Sequence, residues 1–294
     1  MRVLPKIEIA VYFDAAYPSS YIDPKKGYPS KIATFLKSKG IPILNAGETR
    51  DFIKKSLENH DSNFKIIIFS QDIVPETICE ESGSNTILRE YLDAGGSVVW
   101  MGNIPLFYIG RENEPQLIHA WKYGAPVYML GIIPLFVSTL KSVDLNFLGK
   151  TLGLRHHWTS TRPVLKDSTM SVLASSKNIG SDYFVDVPKE RNLLAKIYNS
   201  LRSWKSLKFA GFGFEGEHQK QENEPKTSSH TLYETHPSAW IKSYSAEFPY
   251  CGFFRIWDYC PRVFSDLMLE ELYSFSLRVS KRIELQSDFW FIKI

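Results

Sequence analysis

Strand-like and helix-like segments alternate through the first hundred or so residues with short links, and this limits the possible folds more than any other feature of the chain. "KIEIAVYFD" (6–14) is rich in β-branched and aromatic residues and reads as a strand. "SKIATFLKSKG" (30–40) reads as a helix, with Ile32, Phe35 and Leu36 on one face, Ser30 placed to cap it and Gly40 to end it. "IPILNA" (41–46) is a short strand, and "ETRDFIKKSLENH" (48–60) a helix with Phe52, Ile53 and Leu57 aligned. "KIIIFS" (65–70) is almost continuously apolar, as strands buried on both faces are. A third helix, "SNTILREYLDAGG" (84–96), and a fourth strand, "SVVWMG" (97–102), complete a β-α-β-α-β-α-β series. That order predicts an α/β fold: a mostly parallel sheet, right-handed crossovers and flanking helices.

The second half is less regular. The spacing predicts a helix over 115–124, a strand or buried loop at "APVYMLGI" (125–132) and a short helix over 143–154. Strands are expected at 183–188 and 206–214, around a helix at 191–204. The polar stretch 215–238 is expected to be a mobile loop. "AWIKSYSAEFPYCGFFRIWDY" (239–259) reads as an antiparallel hairpin, followed by a helix over 265–279. In that helix Leu267, Leu269, Leu272 and Phe275 are expected to face inward, with Ser265 or Asp266 at the cap. No repeat or interdomain linker interrupts the chain. A single elaborated domain is expected over 1–294, with a clear core at 6–110 and an antiparallel addition in the C-terminal half.

Composition narrows the function classes. A chain of 294 residues, 44% hydrophobic and 14% aromatic, can bury a sizeable core. The net charge of +3 is small and Lys and Arg are scattered, so the concentrated basic face that nucleic acid requires is not legible. The longest apolar stretch, 125–140, carries Gly131 and Pro134 and falls short of a membrane span. Neither nucleic acid nor membrane is expected as a partner. Cys79, Cys251 and Cys260 form an odd set without CxxC spacing. That pattern suits a reducing, cytoplasmic setting better than a disulfide framework or a zinc ribbon. There is no P-loop, HExxH or G-x-S-x-G, and "GFGFEG" (211–216) lacks dinucleotide spacing, so no cofactor or metal is expected.

Parallel strands bring their C-terminal ends to one edge, where open α/β sheets bind ligands. Three such ends are polar: Asp14 and Tyr17 beyond the first strand, Gln71 and Asp72 beyond the third, Gly102 and Asn103 beyond the fourth. Asp14 and Asp72 are candidate catalytic carboxylates, while Tyr17, Gln71, Gly102 and Asn103 are candidate ligand contacts. Asp is also a common turn and cap residue, so both carboxylates have an architectural reading too. In "RHHWTSTRP" (155–163), His157 and Arg162 are placed to line an anion or sugar pocket, although a loop with Trp158 packed down is the plainer reading. His156 and His157 are adjacent and would point to opposite faces of a strand, which excludes a shared metal. Glu215 and Glu217 in "FGFEGEH" (212–218) point the same way after a strand. Paired carboxylates suit acid/base work, which makes Glu215 the third catalytic candidate. Asp258, at the end of "RIWDY" (255–259), reaches the same edge if its strand joins the sheet.

The strand at 6–14, "SQDIVPETI" (70–78) and "LREYLDAGGSVVWMGNIP" (88–105) together resemble the type 1 glutamine amidotransferase-like superfamily, a flavodoxin-like fold. The resemblance covers the 6–110 core. It implies that a helix, a Gly-Gly turn and a strand lead into a tight elbow holding a nucleophilic cysteine. Here Gly102 or Asn103 stands at that elbow, and neither can attack a carbonyl. Glu217 and His218 are adjacent rather than spaced as the His-x-Glu that would complete a triad. The resemblance therefore implies a branch without the thiol, similar to the trehalose-utilisation group and to non-catalytic domains. The expected function is binding of a small polar molecule, sugar- or nucleotide-like, at the C-terminal edge. Hydrolysis by carboxylates is the expected reaction if the chain is an enzyme. The alternative is a non-catalytic interaction module that forms a homodimer through its aromatic-rich second half.

Overall fold

A computed structural model describes residues 7–19, 24–79, 86–114, 118–119, 125–134, 136–137, 141–156, 158–160, 162–178, 183–184, 234–257 and 265–291. The apolar segments of the first half become β1 (Glu8–Tyr12), β2 (Ile43–Leu44), β3 (Lys65–Phe69) and β5 (Ser97–Trp100), with a short β4 (Val74–Pro75) between the last two. Between them run α1 (Tyr28–Ser38), α2 (Ala46–Glu58) and α3 (Ile87–Asp93). The second half adds β6 (Tyr108–Gly110), β7 (Ile118–His119), α4 (Ala125–Leu130), β8 (Phe136–Val137), β9 (Lys141–Leu145), α5 (Phe147–Thr151) and β10 (Thr159–Ser160). It continues through β11 (Met170–Asn178), β12 (Tyr183–Phe184), β13 (Glu234–Lys242), β14 (Phe253–Arg255) and α6 (Asp266–Phe291).

Nine of these strands form one sheet in the order β10-β9-β11-β13-β14-β5-β3-β1-β2. The half from β2 to β14 is parallel. The half from β13 to β10 is the antiparallel addition. Side-chain alternation sorts the core into two layers. Ile66 and Ile68 face α1 and α6, packing with Ile32, Leu36, Leu272 and Phe275. Ile67 and Phe69 face the opposite way, toward α2, α3 and α4, with Ile53, Leu92 and Met129. Both faces of β3 are covered, as its apolar sequence requires.

Local chemistry fixes the helix ends. Asn45 and Glu48 form a capping box at α2, with side-chain bonds of 2.8 and 2.9 Å to each other's backbone N–H groups. Thr86 caps α3. The cap of α1 is Gly27 in the left-handed region (φ 67°), and Ser30 lies inside the helix rather than at its cap. Pro29 explains the earlier start, because proline fits the first turn of a helix.

Other sequence expectations are corrected. Residues 125–130 are helical, not a strand or loop: Pro126 sits in the first turn, and Gly131, at φ 59°, ends the run. The helix expected over 143–154 shrinks to α5. Its first residues belong to β9, where buried Val143 and Leu145 alternate with exposed Ser142 and Asp144, and Asn146 caps the short helix α5. Ile118 and His119, expected in a helix, pair with β6. Residues 234–238, expected in the mobile loop, open β13, which is central and antiparallel to both β11 and β14. In α6, Leu267 is 73% exposed and Met268 is buried instead; Leu269, Leu272 and Phe275 face inward as expected. Ser265 caps this helix through the N–H of Met268, at 3.3 Å. The segments 191–204 and 206–214 and the rest of the expected loop, 215–233, lie outside the described residues. Cys79 and Cys251 are both buried and form no disulfide. No described helix is long and apolar enough to cross a membrane.

The burial of β13 has a titratable consequence. His236 is 6% exposed, and burial pushes its imidazole down to about 4. The unfolded chain therefore takes this proton first. Its contribution to stability is full above the ordinary histidine value of 6.5 and declines as pH falls from there toward about 4. Urea unfolding across that range should show a steeper loss for the wild type than for His236→Gln. Equal slopes would refute the assignment.

Candidate functional site

The order β2-β1-β3-β5 runs outward in both directions from β1, so the chain reverses between the C-terminal ends of β1 and β3. Such a reversal splays the two following loops apart and leaves a crevice outside the strand ends. Here one side chain spans it. Gln71 accepts the Asp14 N–H through Oε1 at 2.8 Å. Its Nε2 donates to the carbonyls of Asp14, at 3.0 Å, and Tyr17, at 2.8 Å. The amide is 2% exposed and acts as a cross-link between the loop after β1 and the end of β3.

Asp14 works beside it. Its Oδ1 accepts the N–H of Ala16 at 2.9 Å, and its Oδ2 accepts the N–H of Ala46, the first residue of α2, at 3.1 Å. A carboxylate at that helix start also meets the positive end of the helix dipole. Asp72 is 1% exposed, and its Oδ2 accepts the N–H of Asn103 at 3.2 Å. Gly102 takes φ 97°, a conformation that favours glycine. A Cβ there would lie 2.6 Å from the Cβ of Asp72. The Gly102 N–H donates to the Trp257 carbonyl at 2.7 Å. Asn103 folds its Oδ1 onto the N–H of Ile104 at 2.8 Å, and its carbonyl accepts from Trp100 Nε1 at 3.0 Å.

A second, three-stranded sheet of β4, β6 and β7 builds on these loops. β4 follows β3 and β6 follows β5, and the two pair in parallel. Tyr17 and Pro18 pack on Gly110, where a Cβ would approach them to 3.2 and 3.3 Å. The Asn113 N–H closes the arrangement on the Ala16 carbonyl at 2.9 Å. Burial pushes the Tyr17 phenol up to about 12, helped by the charges of Glu76, Glu112 and Asp14.

The structure thus brings Asp14, Tyr17, Gln71, Asp72, Gly102 and Asn103 to one edge, and the named bonds turn most of their polar groups toward one another. Of Arg162, the backbone carbonyl accepts from Arg255 of β14, whose neighbour in β5 is Trp100. His157, Glu215 and Asp258 lie outside the described residues. Sequence reasoning passed over Arg255, which is fully buried at the end of β14. Its signal was a lone charge inside the apolar run "CGFFRIW" (251–257).

Among solved structures, a ThuA-like protein from Bacteroides uniformis covers 95% of this chain and 94% of its own, at 12% identity and a TM-score of 0.40. Uncharacterized protein MJECL34 of Methanocaldococcus jannaschii is 28% identical over 180 residues, or 60% of this chain. The match spans 58% of that relative's length. The profile of the MJECL34 family matches residues 7–193, which take in the parallel β1–β5 core, the crevice and much of the antiparallel addition, and the chain belongs to that family.

Proposed function

We propose that this chain binds a small polar molecule, sugar- or nucleotide-like, in the crevice over the C-terminal ends of β1, β3 and β5, and does so without thiol chemistry. The observation that carries the reading is the Gln71 cross-link at the point where the strand order reverses. It holds the two splayed loops at a fixed separation, and a preorganised crevice loses less entropy on binding than a loose one.

The amidotransferase-like reading of the core belongs to this proposal. The turn at Gly102 has the tight backbone expected of an elbow, and no cysteine among the described residues stands beside it. Cys251 precedes β14 at the opposite edge of the sheet, 3.7 Å from the Asn63 carbonyl, and burial pushes its thiol up to about 12. Cys79 packs on Met129 at 3.6 Å. Hydrolysis would draw on Asp14, Asp72 and Glu215. The backbone N–H groups that Asp14 and Asp72 already accept favour a positioning role for both.

A thermal-denaturation screen against sugars, nucleosides and nucleotides tests this reading. A ligand at a hundred times its Kd stabilises the native state by about 2.7 kcal/mol. For a chain of this size that amounts to a rise of roughly 4 °C. Crystals grown with the hit should place it against loops 14–19, 71–75 and 102–113. A flat screen, with concentration-dependent dimerisation in light scattering, would replace ligand binding by the interaction-module reading.

A further inference from the structure

A second constellation lies on the face covered by α1 and α6, built from residues that do not belong to the crevice. The segment after α5 and the first turns of α6 line a half-open cavity of about 300 Å³, at the small end of ligand-site volumes. Glu271 occupies a core-facing position of α6, three residues after Met268 and four before Phe275, and its side chain is only 3% exposed. An ionised carboxylate there needs strong partners. His156 supplies two of them: its backbone N–H donates to Glu271 Oε2 at 3.0 Å, and its Nδ1 lies 2.5 Å from the same oxygen. A carboxylate only accepts, so Nδ1 is the donor and the ring is held in one orientation. The imidazole is still 32% exposed. With Nδ1 occupied by Glu271, the open part is the Nε2 edge, and His156 lines the cavity.

Two guanidinium groups share that lining, Arg155 and Arg278. Arg278 is braced: Nη1 donates to the Thr151 carbonyl at 2.7 Å, and the chain passes close enough at Gly153 that a Cβ would lie 3.2 Å from Nε. Arg155 is exposed beside it. The other acid of the wall, Glu270, is engaged by Lys39 of α1 at 2.8 Å. Glu271 and Glu270 are thus both paired with cationic or donor groups, which leaves Arg155 and Arg278 to set the charge that an entering molecule meets.

We propose that this cavity binds a small molecule carrying a phosphate or carboxylate group. Arg155 and Arg278 take the oxyanion, for which the guanidinium fork is suited. His156 Nε2 makes a third contact, and Glu271 is the positioning residue behind it.

The test is a titration of ¹⁵N-histidine-labelled full chain with inorganic phosphate, glycerol phosphate and succinate, each matched in ionic strength by sodium chloride. A saturable change of the His156 ring resonances with an oxyanion, absent with chloride, is the expected result. Saturation by the phosphates alone or by succinate alone identifies which group the site takes. Arg155→Gln, on an exposed side chain that should not disturb folding, should weaken the effect by about tenfold or more. Chloride-like, non-saturating shifts overturn the proposal, and so does an Arg155→Gln protein that titrates like the wild type. Arg155→Gln should keep any stabilisation by a crevice ligand, so failure here and failure of the crevice reading can be told apart.

Discussion

Replacing Gln71 with leucine is expected to destabilise the protein by about 3–5 kcal/mol and to release the loop after β1. Leucine keeps most of the volume but none of the bonds. The Asp14 N–H loses its 2.8 Å acceptor and the Tyr17 carbonyl its 2.8 Å donor, while the Asp14 carbonyl keeps the Tyr17 N–H at 3.1 Å. These groups meet around an amide that is 2% exposed, so water does not readily replace it. Each backbone group left unpaired in such a place costs about 1–3 kcal/mol. Urea unfolding measures the total, and limited proteolysis reads the release as new cleavage within 14–19. Gln71→Glu keeps the acceptor but sets a buried carboxylate oxygen against the carbonyls of Asp14 and Tyr17, and should destabilise at least as much as leucine. A Gln71→Leu protein with the wild-type midpoint would show that the cross-link does not hold the crevice.

Gly102→Ala is expected to cost about 3 kcal/mol or more. A backbone at φ 97° penalises any side chain by about 1–2 kcal/mol. The new Cβ would then stand 2.6 Å from the Cβ of Asp72, and overpacking of this kind adds about 1–3 kcal/mol. Asp72 cannot swing aside, because it is buried and bonded to the Asn103 N–H. A double-mutant cycle separates the two causes: Asp72→Gly removes the opposing Cβ, so the combined variant should be more stable than the sum of the single losses allows. Strict additivity would mean that the contact contributes nothing.

The parallel core was legible because its signals are local. The continuous apolar run of β3 and three-to-four spacing in α1 and α2 survive any tertiary context, and their alternation leaves one sheet type. The meeting of Asp14, Gln71, Asp72, Gly102 and Asn103 was legible for the same reason, since parallel strands dictate which ends coincide. What escaped depends on neighbours distant in sequence. His236 and Ser238 look like loop residues until this stretch of β13 pairs with β11 and both are buried. The pairing of His156 with Glu271 joins residues 115 positions apart. Its trace in the sequence is one acid on the inward side of an amphipathic helix. Met268, four residues before Leu272 and seven before Phe275, shares their face of α6, whereas Leu267 falls off it, so the inward row begins at Met268.

Gly102 and Asp72 also bear on ancestry. The volume that a cysteine's first carbon would need at this elbow is already filled by the neighbouring aspartate. A lineage carrying this pair cannot acquire a nucleophile there by one substitution without first passing through a less stable intermediate. A side chain can stand at that turn without strain on Asp72 only if the two positions change together.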